Sequence, residues 1–176
     1  IGALGGLFAI VCTVLTWLSS WFFLGTILGL AVHLVADDLD GYVARQRQMA
    51  ARAGAYFDLI TDGLLSTFLL IALGFSPYGS LEVMIFAAPV NVTAMNYILY
   101  CNEFLFPRLG PIEAHISYVL VSILSMATHG RVLFTLFGVS FRIADVIVAV
   151  GLIPMYYEMV RLQIQLFRQL KKQEKS

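Results

Sequence analysis

The chain has 176 residues, 60% of them hydrophobic and 12% charged, and its mean hydropathy is +0.85. Soluble domains lie nearer ~45–50% apolar and ~25% charged. The composition therefore excludes an ordinary water-soluble domain, a disordered chain and a nucleic-acid binder with a basic face, and indicates a membrane protein. The formal net charge of 0, from 11 Lys+Arg against 11 Asp+Glu, names no partner by itself.

A membrane-spanning helix needs ~20 mostly apolar residues, so a chain of this length holds about six with short connections and no sizeable soluble domain. Apolar runs and their breakers predict an all-α, polytopic protein of six transmembrane helices, forming a single domain over residues 1–176. Helix 1 covers Ile1–Thr16; it starts inside an apolar run without an initiator Met, which predicts that a segment precedes Ile1. Helix 2 covers Trp21–Arg45, and its last two turns are polar. Helix 3 covers Gly54–Leu73 and is stopped by Gly74, Ser76 and Pro77. Helix 4 covers Leu81–Tyr100, helix 5 Ile112–Thr128 after Gly110-Pro111, and helix 6 Phe141–Arg168, followed by a basic tail.

Cys12 and Cys101 both sit in apolar surroundings and read as buried thiols. Trp17, Trp21 and Tyr78 fit an aromatic belt at one interface. Asn91 and Asn96 read as interhelical hydrogen-bond partners, Asp145 as a local pair with Arg142, and Glu158 as either a cavity residue or a paired one. Gly2-x3-Gly6 and Gly25-x3-Gly29 allow close helix approach, within the chain or at the seam of a homodimer.

Alternating helix ends place Arg45, Arg47, Arg52, Arg108, Arg161, Arg168, Lys171, Lys172 and Lys175 on one side and only Arg131 and Arg142 on the other. By the positive-inside rule the first side is cytoplasmic.

One stretch does not suit a passive scaffold. Residues 37–63 carry five of the 11 acidic residues: Asp37, Asp38 and Asp40 close helix 2, and Asp58 and Asp62 open helix 3. An ionised residue at membrane depth costs ~2.5–3.5 kcal/mol on insertion scales, and neighbouring carboxylates repel, so such a group persists only with cations among them. Asp37 and Asp40 are spaced i,i+3 and Asp58 and Asp62 i,i+4, which puts each pair on one helix face. Consecutive antiparallel helices can then bring both faces together. Four carboxylates, with no His or Cys inside the stretch, suit Mg²⁺ or Mn²⁺. Asp38 points off that face and reads as solvated. Gly41, Ala44 and Gly54 leave room for a bulky ligand, and Arg45 can pair with a carboxylate or a phosphate. His33, one turn before Asp37, reads either as facing the site or, as the favoured alternative, as a packing histidine.

The gapless pattern D-x2-D-G-x2-A-R-x8-G-x3-D-x3-D, formed by Asp37, Asp40, Gly41, Ala44, Arg45, Gly54, Asp58 and Asp62, resembles the signature of the CDP-alcohol phosphotransferases (CDP-alcohol phosphatidyltransferases). The resemblance implies an integral membrane enzyme of phospholipid biosynthesis, with its active site at the cytoplasmic ends of helices 2 and 3. A hydroxyl would attack the β-phosphorus of a CDP-linked alcohol, CMP would leave, and no phosphoenzyme would form. The resemblance also implies that Asp37, Asp40, Asp58 and Asp62 hold two Mg²⁺ or Mn²⁺ ions. Asp62 would be the general base, and Gly41, Ala44, Arg45 and Gly54 would bind the nucleotide. The family is often dimeric, so a homodimer is a candidate partner alongside the two alcohols and membrane lipid.

The alcohols are less legible. Arg108 is followed by Leu-Gly-Pro-Ile-Glu-Ala-His, and Arg108, Glu113 and His115 are candidate acceptor-site residues. The stretch resembles the Gly-Pro-Thr-Glu of the choline/ethanolamine phosphotransferase branch, whose acceptor is diacylglycerol. The bland reading is a helix start with Glu113 on its dipole. That branch carries a His after the third motif Asp, where this chain has Leu59. The other branch uses CDP-diacylglycerol with glycerol phosphate, inositol phosphate or serine, and the scarcity of cytoplasmic bases outside the motif argues mildly against a phosphorylated acceptor. An intramembrane prenyltransferase and a divalent-cation transporter are the rival readings. The first normally needs more helices, and the second needs an acidic relay across the membrane, which the sequence does not offer.

Overall fold

A computed structural model describes residues 1–47, 52–87, 89 and 111–173. The helices are α1 (Gly2–Leu15), α2 (Phe22–Gln46), α3 (Arg52–Gly74), α4 (Leu81–Met84), α5 (Pro111–Thr128) and α6 (Ile143–Gln173). Three stretches are long and apolar enough to cross a membrane, Phe22–Ala44, Tyr56–Gly74 and Ile143–Lys171, and Gly2–Leu15 and Glu113–Thr128 are shorter apolar helices.

Two elements depart from the sequence expectation. The helix expected over residues 81–100 begins as α4 and tightens into a 3₁₀ turn, Ile85–Ala87. Pro89 has no N–H to return to the Ile85 carbonyl and restricts the residue before it, which disfavours regular α-helix here. Asn91, Asn96, Cys101 and Arg108 lie outside the described residues. Between α5 and α6 stands a hairpin of which the apolar pattern gives no sign: β1 (Phe134–Leu136) pairs antiparallel with β2 (Val139–Phe141), Phe134 opposite Phe141. Its two central residues, Phe137 and Gly138, have φ of 50° and 83°, the left-handed pair that lets a two-residue turn match strand twist. Because Phe141 is in the ladder, α6 starts at Ile143 rather than at Phe141.

The packing inverts that of a soluble protein. On α1 the buried residues are Gly2, Gly5, Gly6, Ala9, Cys12 and Thr13, while Leu4, Leu7, Phe8, Val11 and Val14 are exposed. Lipid tails are as apolar as leucine, so helices associate there through close van der Waals contact rather than by hiding large side chains. α1 runs along α2 and touches α3, and α5 lies against α2 and α6. A Cβ on Gly29 would stand 2.6 Å from the Gly5 carbonyl oxygen, and one on Gly25 would stand 2.6 Å from Cys12 Sγ. A Cβ on Gly6 would meet Leu65 of α3 at 3.0 Å. These glycines therefore serve packing within the chain. The hydroxyls of Thr13 and Thr26 meet 3.1 Å apart across the same seam.

The core continues through Phe23, Leu30, Leu65, Leu69, Leu73 and Val121. Tyr118 donates its phenol hydrogen to the Leu69 carbonyl at 2.6 Å, joining α5 to α3. Trp17 and Trp21 are exposed as an aromatic belt requires, with Trp17 Nε1 donating to the Phe75 carbonyl at 2.8 Å, whereas Tyr78 packs edge-on against Phe23.

At the start of α6, Asp145 is fully buried. It accepts from Ser80 N at 2.6 Å and from Arg142 N at 2.8 Å, and lies 3.0 Å from Ser80 Oγ. The carboxylate thus caps α6 and ties it to the turn after α3. The expected pair with Arg142 forms through that backbone N–H, while the guanidinium reaches Gly79 O, Ser80 Oγ and Ser140 O.

Gly29→Val should cost about 3 kcal/mol, the upper end of overpacking penalties, because its new atoms meet backbone that cannot turn away. Thermal unfolding in detergent checks this, with a clear fall in melting temperature expected.

Candidate functional site

The charged cluster assembles where the polar end of α2 faces the first half of α3. The i,i+3 and i,i+4 spacings keep each helix's carboxylates on one side, and the close α1–α2 seam brings a third stretch of backbone beside them. Asp37 Oδ2 and Asp62 Oδ1 both face His33 Nε2, at 3.4 and 3.2 Å. One ligand atom from each of His33, Asp37 and Asp62 lies within 4.8 Å of the others.

His33 is 1% exposed, so its ring has no access to bulk water. Its Nδ1 stands 3.1 Å from the Gly2 carbonyl oxygen. A carbonyl only accepts, so Nδ1 carries the hydrogen and donates it to Gly2. The α1 helix comes close on this side, since a Cβ on Gly2 would stand 2.6 Å from Asp37 Oδ1. His115 of α5 is buried beside His33, with ring centroids 5.3 Å apart.

The sequence-predicted residues thus divide. Asp37 and Asp62 are brought together, each partly buried. Asp40 and Asp58 are exposed, and Asp58 lies within electrostatic reach of both Asp62 and Asp40. Asp38 is exposed, as its position off the shared face predicts. Gly41 and Ala44 occupy the last turns of α2, and the Arg45 backbone follows them, its side chain lying outside the described set. Gly54 is exposed, and among the described residues nothing lies within 4 Å of where its Cβ would be. Glu113 is exposed in the first turn of α5, and His115 lies beside His33 of the cluster.

Of the two sequence readings of His33, the structure takes the less favoured one: it faces the cluster rather than only packing. Its i,i+4 relation to Asp37 is the one signal for this in the sequence. The partner that orients it, a main-chain carbonyl on another helix, leaves no mark there. Glu158 takes the paired alternative: both its carboxylate oxygens accept from Arg161 Nη1 at 3.0 Å.

Chemically the donor set suits a divalent cation. Two carboxylates converge at low exposure, two more stand at the same end, and among the described residues no Lys or Arg pairs with Asp37 or Asp62. Hard oxygen donors of this kind select Mg²⁺, Mn²⁺ or Ca²⁺, and an imidazole widens the range.

Comparison with curated proteins and with solved structures gave no match. The sequence profile of the CDP-alcohol phosphatidyltransferases matches residues 3–156, a span that holds His33 and the whole carboxylate motif. The chain belongs to the CDP-alcohol phosphatidyltransferase family, integral membrane phosphotransferases of phospholipid synthesis.

Proposed function

We propose that this protein transfers a substituted phosphate from a CDP-linked alcohol to a second alcohol at the cytoplasmic face of the membrane, releasing CMP. The observation that carries the reading is the convergence of Asp37 and Asp62 from two helices at one end of an apolar bundle, inside the complete eight-residue motif. The same reading takes the chain to have six membrane-crossing helices, with the excess of Lys and Arg near the motif setting the orientation.

In this mechanism Asp62 accepts the proton of the acceptor hydroxyl. The freed oxygen attacks the β-phosphorus, a new phosphorus–oxygen bond forms, and the bond to the bridging oxygen breaks so that CMP departs with its electron pair. Asp37, Asp40, Asp58 and Asp62 are the residues that would hold divalent cations, whose charge neutralises the diphosphate and polarises the phosphorus–oxygen bond. Gly41, Ala44 and Gly54 leave the nucleotide space against the backbone, and Arg45 meets the diphosphate. The open space around Gly54 supports this, because packing among the described residues does not require a glycine there. Most of the rate then comes from positioning and charge.

For the alcohols, a diacylglycerol acceptor with a choline- or ethanolamine-type donor is the favoured pair. Leu59 lacks the imidazole of that branch, but His115 lies beside the cluster from α5. Transfer from CDP-diacylglycerol to a polar alcohol is the second reading. One exposed face of α6, apolar at Val160, Ile164 and Phe167, suits contact with lipid in either case.

Purified protein with Mg²⁺ or Mn²⁺ should release CMP from at least one of CDP-choline, CDP-ethanolamine and CDP-diacylglycerol, and Asp62→Asn should abolish release while cation-dependent CDP binding partly survives. No release from any donor, or wild-type turnover by Asp62→Asn, refutes the assignment. Gly54→Val should change stability by no more than about 1 kcal/mol, read from thermal unfolding, since among the described residues its atoms meet no neighbour and carry only a helix-propensity change. Its KM for the CDP-alcohol should rise severalfold.

A further inference from the structure

His33 stands in an arrangement that packing alone does not account for. Its Nδ1–H is committed to the Gly2 carbonyl at 3.1 Å. Nε2 faces Asp37 Oδ2 and Asp62 Oδ1, 3.4 and 3.2 Å away, with a lone pair if the ring is neutral and with a second N–H donated to Asp62 if it is protonated. Three acceptor atoms facing one point repel unless a proton or a metal cation stands between them. A proton on Nε2 lies along one line and serves one oxygen well, whereas a metal cation serves all three atoms at once. Ligating histidines are held in just this manner, one nitrogen fixed by a backbone carbonyl and the other presented to the ion.

The two nitrogen–oxygen edges of the set have a fitting length, and the two oxygens lie within 4.8 Å of each other. Donor atoms about 2.0–2.2 Å from one ion stand roughly 2.8–3.6 Å apart, from cis-octahedral to tetrahedral geometry. Both nitrogen–oxygen separations fall inside that interval. The ring cannot swing away, because it is fully buried and flanked by His115.

We propose that His33 is a direct ligand of the divalent cation, completing a one-nitrogen, two-oxygen set with Asp37 and Asp62. The proposal rests on the transferase reading for the presence of the ion and adds a donor from outside the carboxylate motif. Imidazole favours borderline cations, so the site prefers Mn²⁺ or Zn²⁺ to Mg²⁺ more strongly than an all-oxygen site does.

The test is pulsed electron paramagnetic resonance on the full chain, free of tags, loaded with Mn²⁺ alone. Wild type should show modulation from a directly bound ¹⁴N, and protein made with ¹⁵N-histidine should show the ¹⁵N pattern in its place. His33→Gln should lose the nitrogen coupling and bind Mn²⁺ at least about tenfold more weakly, since even outer-shell changes cost about 10–100-fold. His115→Gln should retain the coupling. The isotope arm uses unmutated protein and stands even if His33→Gln fails to fold. Mn²⁺ binding with CMP release but no nitrogen coupling overturns the ligand assignment alone, as does coupling that survives in His33→Gln. Nitrogen coupling with no CMP release from any donor supports the ligand assignment and overturns the transferase reading.

Discussion

The contact on which the rest depends is the approach of α1 to α2 through glycine. Within a bilayer there is no hydrophobic gain in pressing helix on helix, so the seam holds by short-range contact, and Gly5 and Gly29 bring the two backbones to a separation that any side chain would prevent. The Thr13–Thr26 hydroxyl pair adds a polar stitch to the same interface. From this seam follow the position of the Gly2 carbonyl, the orientation of His33 and the direction in which Asp37 and Asp62 face it.

A second constraint works at the other end of α3. Asp145 satisfies two backbone N–H groups and fixes α6 against the turn that follows α3, while Tyr118 ties α5 to α3 through the core. Buried polar groups of this kind are costly unless paired, and both of these have partners. The bundle is therefore held by paired polar groups at one end and gathers its carboxylates at the other. Charge that sums to zero over the chain is divided along it into an acidic cluster and separate basic segments.

Much of this was legible in the sequence, and the exceptions have physical causes. α1, α2, α3 and α5 match their expected bounds closely because long apolar runs ended by Gly, Ser or Pro leave few alternatives. The hairpin was hidden because its turn is Phe137-Gly138: a bulky residue at φ of 50° gives none of the usual Asn-Gly or Asp-Gly signal. The 3₁₀ turn lies just ahead of one proline inside an otherwise apolar run. In the site, the carboxylates were legible because helical spacing puts them on common faces. His33 was left between two readings, because a histidine in an apolar stretch looks the same whether it packs or faces a charged cluster, and its orienting partner is 31 positions away.

That partner has a further consequence. The atom that orients His33 is a main-chain oxygen, which every amino acid carries, so no substitution at position 2 can delete it. Change there can act only through size, by pushing against Asp37. The group that orients His33 is thus recorded in this sequence solely as a demand for smallness. A survey of α1 for reactive side chains would pass over it, and its imprint is a tolerance to chemistry combined with an intolerance to volume.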